Sequence, residues 1–520
     1  MLSLNPIFYL VTLGIIGIFI RILYFPFEIP FSYDTLDYFA YSLVESQIGK
    51  FPEGVNLVNN GWPTIVSFFF YISNTDNFMH LTYIQRGLSI LFSVLTIIPI
   101  YFLARRFFTK KIALIAPSLF ILEPNILMNS IQGGTVPIFI FLGTMIIYLF
   151  LSKNFRSLYP AFALIAILSF IRYEGLLLIF PLSVMFFLRF KKNHHEIKNF
   201  IFIIFIFALI LSVIGILRYE AYGQDGLISS ITAGGKYVIE DLSTGDEKDE
   251  PWMILGQSNH LNFIQTGTNS MIKFIGITML PIFIFFIPIS IIFLVKDRSF
   301  LYIDTRIISI ICYAIIFLIP AFYAYGRHIE DIRYLFILYP IFSLISLHFI
   351  KKIFQYNQNH NLILIAITGG IIISSVSFLE YDKNDYIHER DAFAVAKKIV
   401  NEEFGYNIFS PESKYIKSAE VYNEWPPEIS FVNGHVERKA NGIVVKNHDT
   451  LEEFLIYGEK QGLTHLIVDE KKKNSILDNI FYNEEKFPYL QKIYDSSEEK
   501  LNYKVKIFEI DYNYFYEYMK

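Results

Sequence analysis

Asp34 and Asp37 stand three residues apart in FSYDTLDYFAYSL, the segment Phe31 to Leu43. Residues at that spacing share one face of a helix. Two carboxylates on one face, with Tyr33, Tyr38 and Tyr41 around them, suit the chemical centre of an enzyme, with rings fit for a membrane surface or a sugar. A plainer reading makes Asp34 the N-cap of a short helix, where Asp is favoured, and turns Asp37 toward water.

Three further polar clusters punctuate apolar sequence. SFIRYEGLLLIFPL carries Arg172 and Glu174, either a local ion pair and interfacial anchor or part of a site. GRHIEDIRYLFILYP carries Arg327, His328, Glu330, Asp331, Arg333 and Tyr334. Arg333 requires an anion: Asp331 would serve locally, and a lipid phosphate would serve functionally. His328 has no second histidine in that loop, which argues against a metal. EPNILMNSIQGGTVP, with Glu123, Asn125, Gln132 and Thr135, reads as a polar turn.

The elements that must position these residues are membrane spans. The chain has 520 residues, 53% of them hydrophobic, and a mean hydropathy of +0.42, which excludes an ordinary soluble domain. A spanning helix needs roughly 20 apolar residues, and that criterion predicts about eleven. They fall near 4–23, 84–104, 112–130, 135–151, 158–171, 175–190, 199–217, 271–295, 306–325, 333–350 and 361–379. WPTIVSFFFYI, Trp62 to Ile72, is too short to cross and reads as re-entrant or interfacial. The first apolar run lacks a basic flank and a small-residue cleavage site, so it reads as a retained span rather than a signal peptide.

Basic residues cluster in alternate loops: Arg105, Arg106, Lys110 and Lys111, then Lys153 and Arg156, Lys191, Lys192 and Lys198, Lys296 and Arg298, Lys351 and Lys352. The positive-inside rule makes those loops cytoplasmic, the N-terminus internal, and the C-terminus external. The long loops 24–80 and 218–270 are then external. The predicted architecture is an α-helical polytopic membrane domain over residues 1–380, followed by a small extracytoplasmic α/β domain over 381–520. In that tail NIFSP, HLIVD and YKVKIFEID read as strands, and LEEFLIYGEKQG reads as an amphipathic helix ending at Gly462. The tail has no Gly-rich phosphate loop and no Cys/His cluster.

A net charge of −4 gives no basic field for nucleic acid, and the single cysteine, Cys312, permits no intramolecular disulfide. The ionisable clusters lie at the outer ends of spans. A transporter or lipid flippase more often places them near the midplane. An enzyme acting on a lipid-linked phosphate would place them at the surface. A non-catalytic glycolipid-binding protein is the remaining alternative.

In their order, these motifs resemble the GT-C superfamily of polytopic glycosyltransferases, which includes protein O-mannosyltransferases, aminoarabinose lipid A transferases and oligosaccharyltransferases. The resemblance covers Leu4 to about Glu380. YDTLDYFAYSL followed by NNGWPTIVSFF is similar to the family's acidic first loop and proline-bearing segment. IQRGLSILFSVLTIIPIYFLARRFFTKKIALIAPSLF is similar to its second and third spans, and SFIRYEGLLLIFPL and IRYLFILYP resemble later signatures. There are departures: Thr135 is followed by Val136 where an acid is common, and the tail has no WWD-type motif, which disfavours en bloc transfer to asparagine.

The resemblance implies a sugar donor on polyprenyl (dolichyl or undecaprenyl) phosphate and an acceptor hydroxyl on a protein, glycan or lipid. It implies a first-loop acid at the reaction centre, here Asp34 with Asp37, and external arginines on the phosphate, here Arg333 and then Arg172. Glu174, Arg327, His328 and Tyr334 are carried as neighbours on the substrate side. Any divalent cation (Mg or Mn) would be held by Asp34 and Asp37. The implied setting is the cell membrane, or the endoplasmic reticulum membrane in a eukaryote, and the implied reaction is direct displacement with inversion.

Overall fold

The computed structural model describes residues 5–190, 196–236, 238, 260–296, 304–356, 359–401, 415–423, 429–432, 434–437, 443, 448–470 and 476–520, with 381–386 as backbone only. The expected strand NIFSP, the basic residues Lys191, Lys192 and Arg298, and residues 237 and 239–259 of the loop 218–270 lie outside these residues. The chain divides into two compact units. One comprises Met1–Phe25, Tyr41–Ser73 and Ile84–Leu379, the other Pro26–Ala40, Asn74–Tyr83 and Glu380–Lys520.

The first unit is helical, and the chain is a multi-pass membrane protein. Among the described residues seven helices are long and apolar enough to cross a membrane: Pro6–Leu23, Phe78–Ala104, Tyr173–Phe190, Glu196–Tyr222, Thr305–Gly326, Ile332–Tyr356 and His360–Glu380. Every expected span falls on a helix or helix pair, but two differ in form. Lys110–Ile121 and Pro124–Ile131 meet at 52°, and His260–Thr278 and Phe283–Lys296 meet at 105°. A proline stands at each break, Pro124 at the first position of its helix and Pro281 just before the other. Proline lacks the N–H that would continue the preceding helix. Two expected spans are short helices, Val136–Phe150 and Phe155–Ile171. Trp62 to Ile72 lies in a helix of 13 residues, Gly61–Ser73.

Buried polar groups fix how this unit packs. Arg21 is 1% exposed. Its guanidinium donates to Ser130 Oγ at 2.7 Å, Ser93 Oγ at 2.9 Å and the carbonyls of Gly17 and Ile121. A buried cation is tolerated only when its donors are taken up in this way. The Gly133 carbonyl accepts from Trp62 Nε1 at 3.0 Å and Gln85 Nε2 at 2.9 Å, so the turn read from EPNILMNSIQGGTVP is a packing hub. A Cβ at Gly61 would lie 2.5 Å from the Phe170 carbonyl oxygen; only glycine permits that approach.

The second unit contains a hairpin of β1 (Phe431–Val432) and β2 (His435–Val436), and a three-stranded sheet of β3 (His465–Asp469), β4 (Leu490–Asp495) and β5 (Val505–Ile510). The sheet order is β3-β5-β4, all antiparallel, with Ile507 opposite both Ile467 and Tyr494. Alternate residues of a strand point to opposite faces. Ile467, Val505 and Ile507 therefore join one core with Phe393, Ala396 and Ile416. Leu466, Val468, Phe508 and Ile510 join another with Phe454, Leu455 and Phe515. The expected amphipathic helix is Leu451–Lys460. Thr450 caps it by accepting from the Glu453 N–H at 3.2 Å, and Gly462 leaves it at φ 80°.

Candidate active site

The acidic centre belongs to the second unit. The helix Tyr33–Ile48 begins with Tyr33 at φ 49°, and Asp34 lies in its first turn, where the positive end of the helix dipole favours an anion. Asp34 thus follows the cap position instead of occupying it. Aromatic rings brace this turn: Phe31 on Phe39 at 5.6 Å, Phe39 on Phe78 at 5.2 Å and Phe78 on Tyr422 at 5.5 Å. The Ser418 hydroxyl donates to the Phe31 carbonyl.

Asp37 does not face water: it is 4% exposed. Its Oδ1 accepts from the Val436 N–H at 2.8 Å, and its Oδ2 pairs with His435 Nδ1 at 2.6 Å. Both partners come from the β1–β2 hairpin, whose turn contains Gly434 at φ 81°. The hydrogen bond that Asp37 accepts raises the His435 pKa above its usual value. The charges of Asp37 and Asp34 add to the rise, while burial and Lys417 oppose it. Asp34, Asp37 and His435 therefore form one electrostatic group. The absence of a Gly-rich phosphate loop and a Cys/His cluster from the tail's sequence gives no hint of His435. The signal lay in VNGHV, since Asn-Gly between apolar residues marks a tight hairpin and gives the adjacent histidine a fixed place.

Tyr33 is exposed, but Tyr41, in the other unit, is fully buried and its hydroxyl accepts from Asn60 Nδ2 at 3.2 Å. One turn on, Glu45 is also buried. Burial pushes its carboxyl up to about 8, against the lowering effect of the Thr64 and Ser67 hydroxyls.

The basic centre belongs to the first unit. The tripeptide IRY occurs twice, at 171–173 and 332–334. Each time it leads into a tight 3-10 turn, Tyr173–Leu178 and Ile332–Leu338, at the start of a span. Arg172 pairs with Glu174 at 2.8 Å, and its guanidinium lies over the rings of Phe139 and Tyr334, 5.5 and 5.6 Å from their centroids. Asp331 caps the second turn, accepting from the Arg333 N–H at 2.8 Å and from its guanidinium at 2.7 Å. Arg172, Glu174, Arg333 and Tyr334 line one pocket, closed by Val136, Phe139, Phe317 and Ile337. The structure thus forms both local ion pairs foreseen for these arginines and also brings the two arginines to one cavity.

Two expected residues lie away from that pocket's lining. Arg327 stacks on Tyr323 at 5.4 Å and donates to its hydroxyl at 3.1 Å. His328 is exposed, at φ 61°, where the helix Thr305–Gly326 ends.

A divalent cation held by Asp34 and Asp37 would have only those two carboxylates from the helix Tyr33–Ile48. Both Asp37 oxygens already accept hydrogen bonds, and among the described residues no three His, Cys, Asp or Glu side chains converge. No step below is routed through a metal.

No family model matches the sequence, and no curated protein is similar to it. Solved structures are similar in fold. The oligosaccharyltransferase of Archaeoglobus fulgidus, crystallised with Zn and sulfate, aligns with a TM-score of 0.49 and 15% identity over 95% of this chain and 72% of its own. The AglB of that organism, in complex with an inhibitory peptide and a dolichol-phosphate, aligns with a TM-score of 0.46 and 13% identity over 89% and 69%. ArnT from Cupriavidus metallidurans, bound to undecaprenyl phosphate, aligns with a TM-score of 0.50 and 9% identity over 97% of both chains. In fold the chain is therefore similar to ArnT: a polytopic helical part with a small α/β domain at its C-terminal end.

Proposed function

We propose that this protein is a membrane glycosyltransferase that moves a sugar from a polyprenyl phosphate to an acceptor hydroxyl on a protein, glycan or lipid, at the extracytoplasmic face. The observation that carries the reading is the pocket shared by Arg172 and Arg333. Two guanidiniums with aromatic and aliphatic walls, at the start of two spans, suit a phosphate on an apolar chain. Glu174 and Asp331 pair with these cations, so a phosphate would join two existing ion pairs. ArnT, which shares the fold, holds undecaprenyl phosphate, a ligand of this chemistry.

In the proposed reaction the acceptor oxygen attacks the anomeric carbon as the bond to the phosphate oxygen breaks, and the configuration inverts. Asp34 takes the acceptor's proton, and Asp37 orients the turn that carries Asp34. Arg333, helped by Arg172, stabilises the negative charge that collects on the departing lipid phosphate. Tyr334 forms the wall beside Arg172, and Arg327 and His328 lie outside the chemical steps. The test is transfer of radiolabelled sugar from a polyprenyl phosphate by the purified protein in lipid nanodiscs, with a membrane lysate as the source of acceptors. Label fixed to an acceptor, and lost with Asp34→Asn, supports the reading. Movement of the lipid across the bilayer without transfer would favour a flippase.

A further inference from the structure

The hairpin that meets Asp37 comes from a segment nearly 400 residues further along the chain (a separation of 398 for the His435 contact). It makes a two-point clamp. The His435 ring takes one carboxylate oxygen and the Val436 N–H takes the other, so Asp37 cannot rotate without breaking both bonds. The clamp is asymmetric, because Asp37 is buried whereas the His435 side chain is 59% exposed. An exposed side chain contributes little by burial; what it supplies is the bond it donates. Asp34 is three residues before Asp37 on the same helix, so holding Asp37 also holds the turn that presents Asp34. The other charged group acting on His435 from a packed element is Lys417, on the helix Ile416–Asn423.

We propose that His435 is a positioning residue of the transfer centre: held to Asp37 through Nδ1, it fixes the first turn of the helix that presents Asp34 to the acceptor hydroxyl. The tail is then part of the active centre and more than an appendage that binds the acceptor. This rests on the function proposed above.

The experiment compares the full-length protein with His435→Ala and His435→Asn. Asparagine keeps an N–H near the position of Nδ1 but cannot titrate; alanine keeps neither. His435→Ala is expected to lower kcat by about tenfold to a hundredfold, the scale of a misplaced reacting group, with the KM for donor within about twofold of the parent. His435→Asn is expected to recover most of the kcat, which loss of a merely exposed side chain would not produce. Hydrogen exchange of the segment Phe31–Leu43 is read in the same proteins without any sugar. It should speed up in His435→Ala and return toward the parent rate in His435→Asn. Parent-like kcat in His435→Ala overturns the proposal. Equal loss in both variants with unchanged exchange also overturns it, because the ring would then act on reacting atoms itself. If the parent transfers no sugar, the proposed function fails, and parent-like exchange in His435→Ala still decides against the clamp. Should His435→Ala not fold, a parent-like kcat and exchange in His435→Asn support the donated bond, and a loss in that variant with unchanged exchange overturns it.

Discussion

Two carboxylates of one helix, Asp34 and Glu45, are set apart by their surroundings. Asp34 is exposed in the first turn, while Glu45 is buried further along. Asp34→Asn keeps the shape and loses the proton-accepting oxygen. The variant should insert, fold and bind donor, yet lose at least about a hundredfold in turnover, the lower end of general-base contributions. Transfer near the parent rate would move the base elsewhere. Glu45 makes a different demand. Its folded pKa, about 8, lies above the ordinary 4.5, so the fold holds the proton more tightly than the unfolded chain does. Its stabilising contribution is complete below pH 4.5 and declines as pH rises to about 8. Glu45→Gln has no proton to lose. Melting curves of the purified protein across that window should fall less steeply with pH in the variant than in the parent.

Among the elements, the two 3-10 turns that begin with IRY do similar work. Each places an arginine at the mouth of a span, and each arginine meets a carboxylate two residues away. An arginine near a membrane end otherwise costs free energy, so a local acid makes it tolerable. Arg333→Ala should weaken polyprenyl phosphate binding by about tenfold or more, the scale of one lost charged hydrogen bond. Lysine should restore only part of it, because its point charge cannot reproduce the planar fork. Equilibrium binding of fluorescent polyprenyl phosphate measures both, and parent-like affinity in a folded Arg333→Ala protein would sink the assignment. Arginines also close other helix ends. Arg106 donates to the Tyr148 carbonyl at 2.9 Å and Arg189 to the Phe150 and Ser152 carbonyls, groups left open where a helix stops.

For the whole molecule, the alternating basic loops predict that the loop 24–80 and the tail lie on the external side of the membrane. Cys312 is the only native thiol, so changing it to serine gives a clean background. Gln47→Cys and Ser497→Cys, both exposed positions, should then react with a membrane-impermeant maleimide in intact cells. Lys110→Cys should react only after permeabilisation. Labelling of Gln47→Cys without Ser497→Cys would mean that the number of crossings between them has the wrong parity.

The sequence by itself determined what local chemistry determines. Runs of apolar residues set the spans, Thr450 and Gly462 bound a helix, and Asp34 and Asp37 share a face because a helix repeats every 3.6 residues. Even the breaks were written locally, in Pro124 and Pro281, although hydropathy alone joined each pair into one span. The tertiary structure decided everything that depends on distant partners. Composition gave no reason to group 26–40 and 74–83 with the tail, or to bury Asp37 and Glu45 while leaving Asp34 exposed. Nor could it bring Arg172 and Arg333 to one pocket, or His435 to Asp37. Burial and pairing are properties of the packed chain, and a residue's type fixes only which partners it can accept.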